Sequence, residues 1–231
     1  MPHNRIKLRN RLISAFPWAF DFYETMCFTS NISGWRKRGI SIPYPSLLKR
    51  AILLQEIKDF NADNFVETGT YLGDTPWYLR KHLRRIISIE VHPPLADLAR
   101  QRFKKVDNVT IAEGDSGAIL SDFLTDLSGR TVFWLDGHYS GGITGIGDEE
   151  CPIFRELSAI ISLCKTDWLI LIDDARCFGS HPAYPTVDAI GDFFKINQRA
   201  VSLNVANDMI RIQEICKDPH ACISSLSKKS G

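Results

Sequence analysis

From residue 64 onward, short apolar runs alternate with longer stretches whose apolar positions have helical spacing. Asn64–Thr68 (NFVET) predicts a strand closed by a glycine turn, and Asp74–Leu83 a helix. Arg85–Val91 (RIISIEV) predicts the second strand. Pro93–Lys104 predicts a helix opened by proline, which misses no hydrogen bond in the first helical turn. Val109–Ala112 is the third expected strand. Ser116–Leu127 is the next helix, with Ile119, Leu120, Phe123 and Leu124 on one side. Arg130–Leu135 (RTVFWL) and Asp167–Ile172 (DWLILI) predict the fourth and fifth strands, the latter almost continuously apolar, as a strand buried on both faces should be. Helices are expected at Pro152–Cys164, at Thr186–Ile196 and, ahead of the first strand, over residues 44–60, with apolar Leu47, Leu48, Ile52, Leu53 and Ile57. The ending differs. Ala200–Ala206 and Met209–Cys216 both have strand character and are separated only by Asn207 and Asp208, too short for a crossover and suited to an antiparallel hairpin.

Repeated βα units force a parallel sheet with helices on both faces. The expected fold is therefore α/β, a Rossmann-like three-layer sandwich around a seven-stranded, mostly parallel sheet with a terminal antiparallel hairpin. Residues 46–231 form the expected domain and residues 1–45 a basic N-terminal cap or arm. A chain of 231 residues, 44% hydrophobic and 24% charged, excludes a mainly disordered, collagenous or coiled-coil protein. The apolar run Leu12–Phe20 is too short to span a bilayer, which takes roughly 20 residues. Pro17 interrupts it and Trp18-Ala19-Phe20-Asp21 is a poor cleavage site, so it reads as mature sequence. Six cysteines without CxxC or CxxH spacing point away from zinc and toward a reducing, cytoplasmic setting. Cys164 and Cys216 lie in apolar stretches, as small core residues do.

Charge adds an asymmetry that the net value of +1 conceals. Residues 1–50 hold nine Lys/Arg against Asp21 and Glu24, a net +7, which leaves −6 for the rest. Such a segment reads first as a solvated helical cap and second as an arm for weak contact with an anionic surface. No specific nucleic-acid partner is expected.

In sheets of this kind ligands bind beyond the carboxyl ends of the strands, near the switch in strand order. The five strand ends carry Glu67, Glu90, Glu113 with Asp115, Asp136, and Asp173 with Asp174, so every one is acidic. Carboxylates along one edge repel unless ribose hydroxyls, an ammonium group or a metal ion organises them. The first turn, Glu67-Thr68-Gly69-Thr70-Tyr71-Leu72-Gly73-Asp74-Thr75, has two glycines that let the backbone pass close to a ligand before a helix opens. The dinucleotide fingerprint GxGxxG is absent, because position 71 is Tyr. Glu90 lies 23 residues after Glu67, at the end of the second strand, where a nucleoside's ribose hydroxyls are held.

On Glu67-x-Gly69-x-x-x-Gly73, Glu90, Gly114-Asp115-Ser116, Asp136 and the terminal hairpin, the chain resembles the class I S-adenosylmethionine-dependent methyltransferases over residues 60–216. The resemblance implies S-adenosylmethionine as cofactor. Glu67, Thr68, Gly69, Thr70, Gly73, Asp74 and Thr75 would hold its methionine part, with Asp136 alongside. Glu90 would bind the ribose, and Asp115 and Ser116 would lie beside the adenine. A narrower resemblance joins Leu135-Asp136-Gly137-His138 and Ile172-Asp173-Asp174 to the metal-dependent O-methyltransferases of the catechol and macrolide-sugar types. Adjacent strand ends lie about 4.8 Å apart, so Asp136, Asp173 and Asp174 can converge, and hard oxygen ligands suit Mg²⁺. The catechol-type enzymes carry a lysine base three positions after the first aspartate. Tyr139 stands there in this chain, and His138 is the substitute base, with Asp136 as its catalytic neighbour.

The glycine-rich segment from Gly137 to Cys151, with a second long loop over Ala175–Tyr184, is expected to form the acceptor pocket and its lid. The resulting expectation is methyl transfer to a hydroxyl of a small polar acceptor, sugar- or polyol-like, assisted by Mg²⁺. Two other readings share the fold. One is a nucleoside-binding regulatory protein without turnover, against which the set Asp136, His138, Asp173 and Asp174 argues. The other is a nucleotide-linked oxidoreductase, against which the missing GxGxxG and the terminal hairpin argue.

Overall fold

The computed structural model describes residues 42–137 and 151–215, the helical stretch 32–37 and the single positions 16, 22 and 39. Helix α1 (Ser46–Phe60) leads into strand β1 (Asn64–Thr68). Then follow α2 (Asp74–Leu79), β2 (Arg85–Glu90), α3 (Pro93–Phe103), β3 (Val109–Glu113), α4 (Ser116–Ile119), α5 (Ser121–Leu124), β4 (Thr131–Leu135), α6 (Ile153–Leu163), β5 (Trp168–Ile172), a 3₁₀ turn (Ala175–Cys177), α7 (Val187–Ile196), β6 (Val201–Ala206) and β7 (Met209–Glu214). The sheet order is β3-β2-β1-β4-β5-β7-β6. The first five strands run parallel, and β7 pairs antiparallel with both β5 and β6. The expected seven-stranded architecture and its terminal hairpin are thus present. Asn207 and Asp208 both have positive φ, 57° and 62°, as the tight mirror-image hairpin turn requires.

Two apolar layers explain why these runs make strands. Val66, Ile87, Ile89, Phe133, Leu135, Ile170, Ile172, Ile210 and Ile212 turn to one face and meet Leu120, Leu124, α6 and α7. The alternate positions Phe65, Ile86, Val132, Trp134, Leu169, Leu171 and Met209 turn to the other and meet Leu53, Ile57 and Phe60 of α1. β1, β4 and β5 are buried throughout, which accounts for the nearly continuous apolar sequences of β4 and β5, while β1 buries Asn64, Glu67 and Thr68 beside Phe65 and Val66. Full burial of each such side chain is worth roughly 1.5–3 kcal/mol, so these three strands anchor the sheet. The outer strands β3 and β6 are more exposed.

Two helices are shorter than their periodicity predicts. Asp74–Leu83 ends at Leu79, where Asn108 Nδ2 donates to the carbonyls of Arg80 (2.8 Å) and Leu83 (2.9 Å) and so turns the chain into β2. Ser116–Leu127 divides into α4 and α5 at Leu120, and Leu120, Leu124 and Leu127 all reach the same core. No helix among the described residues is long and apolar enough to cross a membrane.

Register sets the site. Thr68 lies opposite Ile89 and Leu135, and Leu135 opposite Ile172, so β1, β2, β4 and β5 end in line. The ladder runs one residue further, with Asp136 N–H donating to Thr68 O (3.2 Å) and Asp173 N–H to Leu135 O (3.1 Å). The strand order reverses between β1 and β4, and that crevice lies between the acidic ends of both.

Candidate active site

The first turn is shaped by close approach. Gly69 has φ +88°, and a Cβ there would stand 2.4 Å from the Asp136 carbonyl oxygen. Tyr71 takes a left-handed conformation (φ 49°) that most side chains avoid. Its N–H donates to Glu90 Oε2 at 2.7 Å, and His92 N–H donates to Glu90 Oε1 at 2.9 Å. Glu90 therefore bridges the turn and the end of β2, almost fully buried. Burial raises its pKa against the pull of those two N–H groups. Each oxygen keeps a lone pair for a ribose hydroxyl.

Glu67 is buried beneath the same turn. Ser88 Oγ donates to it at 2.5 Å, and Thr75 bonds it as well. Burial pushes its pKa up to about 8, with Glu90 adding repulsion. Thr70 Oγ1 lies 2.6 Å from Ser88 Oγ and extends the hydroxyl chain. Asp74 opens α2 and is paired with the buried Arg102 at 2.7 Å. Gly73 precedes α2 with φ +73° and its missing Cβ faces the Phe103 ring. Asp115 caps α4 by accepting from Gly117 N–H at 2.8 Å, and Arg155 approaches it at 3.9 Å.

Ser116 donates to Glu156 Oε1 at 2.6 Å, and Thr68 also bonds that carboxyl. Glu156 is fully enclosed and burial lifts its pKa to about 7. The sequence reading missed Glu156, although it breaks the apolar stripe Ile153, Leu157, Ile160 of its helix and so had to be a buried acid. Ser88 was also missed, and nothing in a strand of RIISIE distinguishes its hydroxyl.

At the ends of β4 and β5, Asp136, Asp173 and Asp174 converge, with carboxylate oxygens within 4.8 Å of one another. Into this group comes a residue that the sequence reading had counted only as surface charge. Lys49 Nζ, from the first turn of α1, donates to Asp173 Oδ1 (2.5 Å), Asp173 Oδ2 (2.7 Å) and Asp174 Oδ1 (2.9 Å). Arg176 contacts Asp174 at 2.9 Å and also pairs with the buried Asp208 of the hairpin turn. Burial raises Asp136 well above the usual carboxylate range, and the charges of Asp173 and Asp174 add to this. Burial likewise lifts Asp173 to about 6, against the pull of Lys49. Burial acts in the same sense on Asp174, but Lys49 and Arg176 outweigh it and hold that carboxyl low. Three carboxylates are the donor chemistry of a hard divalent ion. Yet both oxygens of Asp173 and one of Asp174 already accept from an ammonium, so the cluster in this conformation fits Lys49 and not a metal beside it.

The glycine loop bearing His138 and Tyr139 lies outside the described residues apart from its ends, Gly137 and Cys151. The loop after β5 is ordered by a 3₁₀ turn and by the edge-on pair Phe178–Tyr184, ring centres 5.3 Å apart.

No family model and no curated protein matches the sequence. Solved structures do match. The O-methyltransferase from Bacillus cereus, in complex with S-adenosylhomocysteine, is 14% identical with a TM-score of 0.55, covering 93% of this chain and 100% of that one. The S-adenosylhomocysteine-bound methyltransferase PaMTH1 from Podospora anserina is 17% identical with a TM-score of 0.53, covering 80% and 87%. The O-methyltransferase TomG from Streptomyces achromogenes, in complex with S-adenosylmethionine, is 17% identical with a TM-score of 0.53, covering 78% and 86%. At these identities the likeness is one of fold alone: a Rossmann-like α/β sheet of the kind these solved methyltransferases have.

Proposed function

We propose that the chain transfers the methyl group of S-adenosylmethionine to a hydroxyl of a small polar acceptor. The observation that carries this reading is that Glu90 and Asp136 stand one residue beyond the aligned positions Ile89, Thr68 and Leu135, with Glu67 buried beneath the turn between them, in a sheet whose solved counterparts hold this donor or its product. In this reading Glu67 and the turn Thr68–Thr75 receive the methionine part, Glu90 the ribose, and Asp115 and Ser116 the adenine. The acceptor lies over Asp136, Asp173 and Asp174. Its oxygen attacks the sulfonium methyl, the C–S bond breaks, S-adenosylhomocysteine leaves, and the hydroxyl proton goes to His138, two residues after Asp136. A base is most effective when its pKa lies near the working pH, and an unperturbed imidazole, at about 6.5, lies there. Holding the two reactants in line supplies much of the rate.

The convergence of the three carboxylates favours a second reading, in which Mg²⁺ assists. It requires Lys49 to withdraw from the cluster.

The test is calorimetric titration of the full chain with S-adenosylhomocysteine and, separately, NAD, followed by transfer of labelled methyl to a panel of sugars, polyols and catechols. S-adenosylhomocysteine should bind and NAD should not. Glu90→Ala should weaken S-adenosylhomocysteine ten- to a hundredfold, because charge-assisted hydrogen bonds are worth roughly 1.5–3 kcal/mol. Absence of binding to the wild-type chain would remove the reading. Binding without transfer to any acceptor would favour a regulatory protein of the same fold.

A further inference from the structure

Lys49 stands against local preference. It lies in the first turn of α1, where the helix dipole disfavours a cation. The carboxylates across the crevice outweigh that. An ammonium group has three N–H donors, and the three contacts to Asp173 and Asp174 match that number. The side chain is only 12% exposed. Nor is its helix loosely held, because Leu53 and Ile57, four and eight residues on, are packed against the sheet, and Arg211 of β7 ties Glu56 at 3.0 Å. The ammonium is therefore delivered by a fixed element to the point where three carboxylates meet.

We propose that Lys49 is the resident cation of the Asp136–Asp173–Asp174 cluster, taking the place of a divalent metal and holding the carboxylates together at the acceptor edge. A doubly charged ion among the same oxygens would face the Lys49 ammonium at close range, and like charges repel. Lys49 is a positioning residue: it fixes the two β5 carboxylates, and Arg176 with Asp208 braces Asp174 from the other side. The consequence is a site that works without a metal, a refinement that rests on the methyl-transfer reading.

Titration of Mn²⁺ into the full chain, with free Mn²⁺ read by electron paramagnetic resonance, tests this. The wild-type chain should leave Mn²⁺ free. Lys49→Met, with three carboxylates and no ammonium, should bind one Mn²⁺ at least about tenfold more tightly, a difference of about 1.4 kcal/mol, and adding Asp173→Asn should abolish that gain. Lys49→Gln is the companion variant, since its shorter amide also removes the charge. One tight Mn²⁺ per wild-type chain, lost on Asp173→Asn, would overturn the proposal whether or not the Lys49 variants fold. So would a folded Lys49→Met or Lys49→Gln chain that binds Mn²⁺ no better than the wild type. These titrations are made without donor. A wild-type chain that fails to bind S-adenosylhomocysteine counts against the methyl-transfer reading and leaves the Lys49 result standing.

Discussion

In the methyl-transfer reading proposed above, the buried carboxyl of Glu67 couples donor binding to protons. With a pKa near 8 it is largely neutral at pH 7, because burial penalises its charge more than Ser88 and Thr75 support it. An ammonium placed beside it reverses that balance, so the proton should leave when the donor binds. Calorimetry of S-adenosylhomocysteine binding at pH 7 in two buffers of different ionisation enthalpy should show close to one proton released, and Glu67→Gln should release almost none. Stability follows the same sign. A carboxyl whose pKa rises on folding, here from 4.5, contributes stability that is complete below the unfolded value and is lost as pH rises through the folded one. Glu156, at about 7, and Asp173, at about 6, act in the same direction. The unliganded chain should therefore lose stability between pH 5 and 8, by up to about 1.4 kcal/mol per pH unit for each proton shed. Urea melts that grow more stable across this range would show that these groups ionise freely in the fold.

At the scale of elements, the strands and their parallel or antiparallel sense were legible because each apolar run is bounded by a turn and repeated βα units force parallel pairing. The acidic strand ends followed directly from that reading. Lys49 was legible too, in principle. It precedes buried Leu53 and Ile57 by four and eight residues and so shares their face, yet a count of charges over residues 1–50 merged it with exposed neighbours. Its partners lie 124 and 125 positions away, and no local pattern names them. The early ends of α2 and α4 were hidden for the same reason, since Asn108 and the shared core act from elsewhere in the chain. Gly69 tests how tightly the first turn is seated. Gly69→Ala drives a methyl into the Asp136 carbonyl at a backbone angle unsuited to alanine. Strain and overpacking together should cost on the order of 2–4 kcal/mol. A urea midpoint unchanged from wild type would mean that β1 and β4 are not clamped at this point.

Over the whole molecule, charge is divided between a basic beginning and an acidic remainder, and the fold uses part of that division internally. Of the nine basic residues before position 51, Lys49 meets the carboxylate cluster, and Arg50 is buried and exerts its charge on Glu67. The other seven, Arg5, Lys7, Arg9, Arg11, Arg36, Lys37 and Arg38, precede α1 in the sequence, and Arg36 and Lys37 are exposed. We propose that these seven form a separable basic segment. Deleting residues 1–41 removes them and keeps Lys49 and Arg50. It also removes Trp35, which is buried with its ring centre 5.0 Å from that of Tyr44, so the melting temperature should fall by the equivalent of about 1.5–3 kcal/mol. Affinity for S-adenosylhomocysteine should stay within about twofold, because every residue assigned to the donor lies beyond position 66. Binding to vesicles rich in phosphatidylserine should be present in the full chain, fall as salt screens it over about 8–10 Å, and vanish in the truncated one, each basic residue near the surface adding about 1 kcal/mol. Equal vesicle binding by both chains would deny the segment that role. A truncated chain that remains folded but loses S-adenosylhomocysteine would make residues 1–41 part of the donor site.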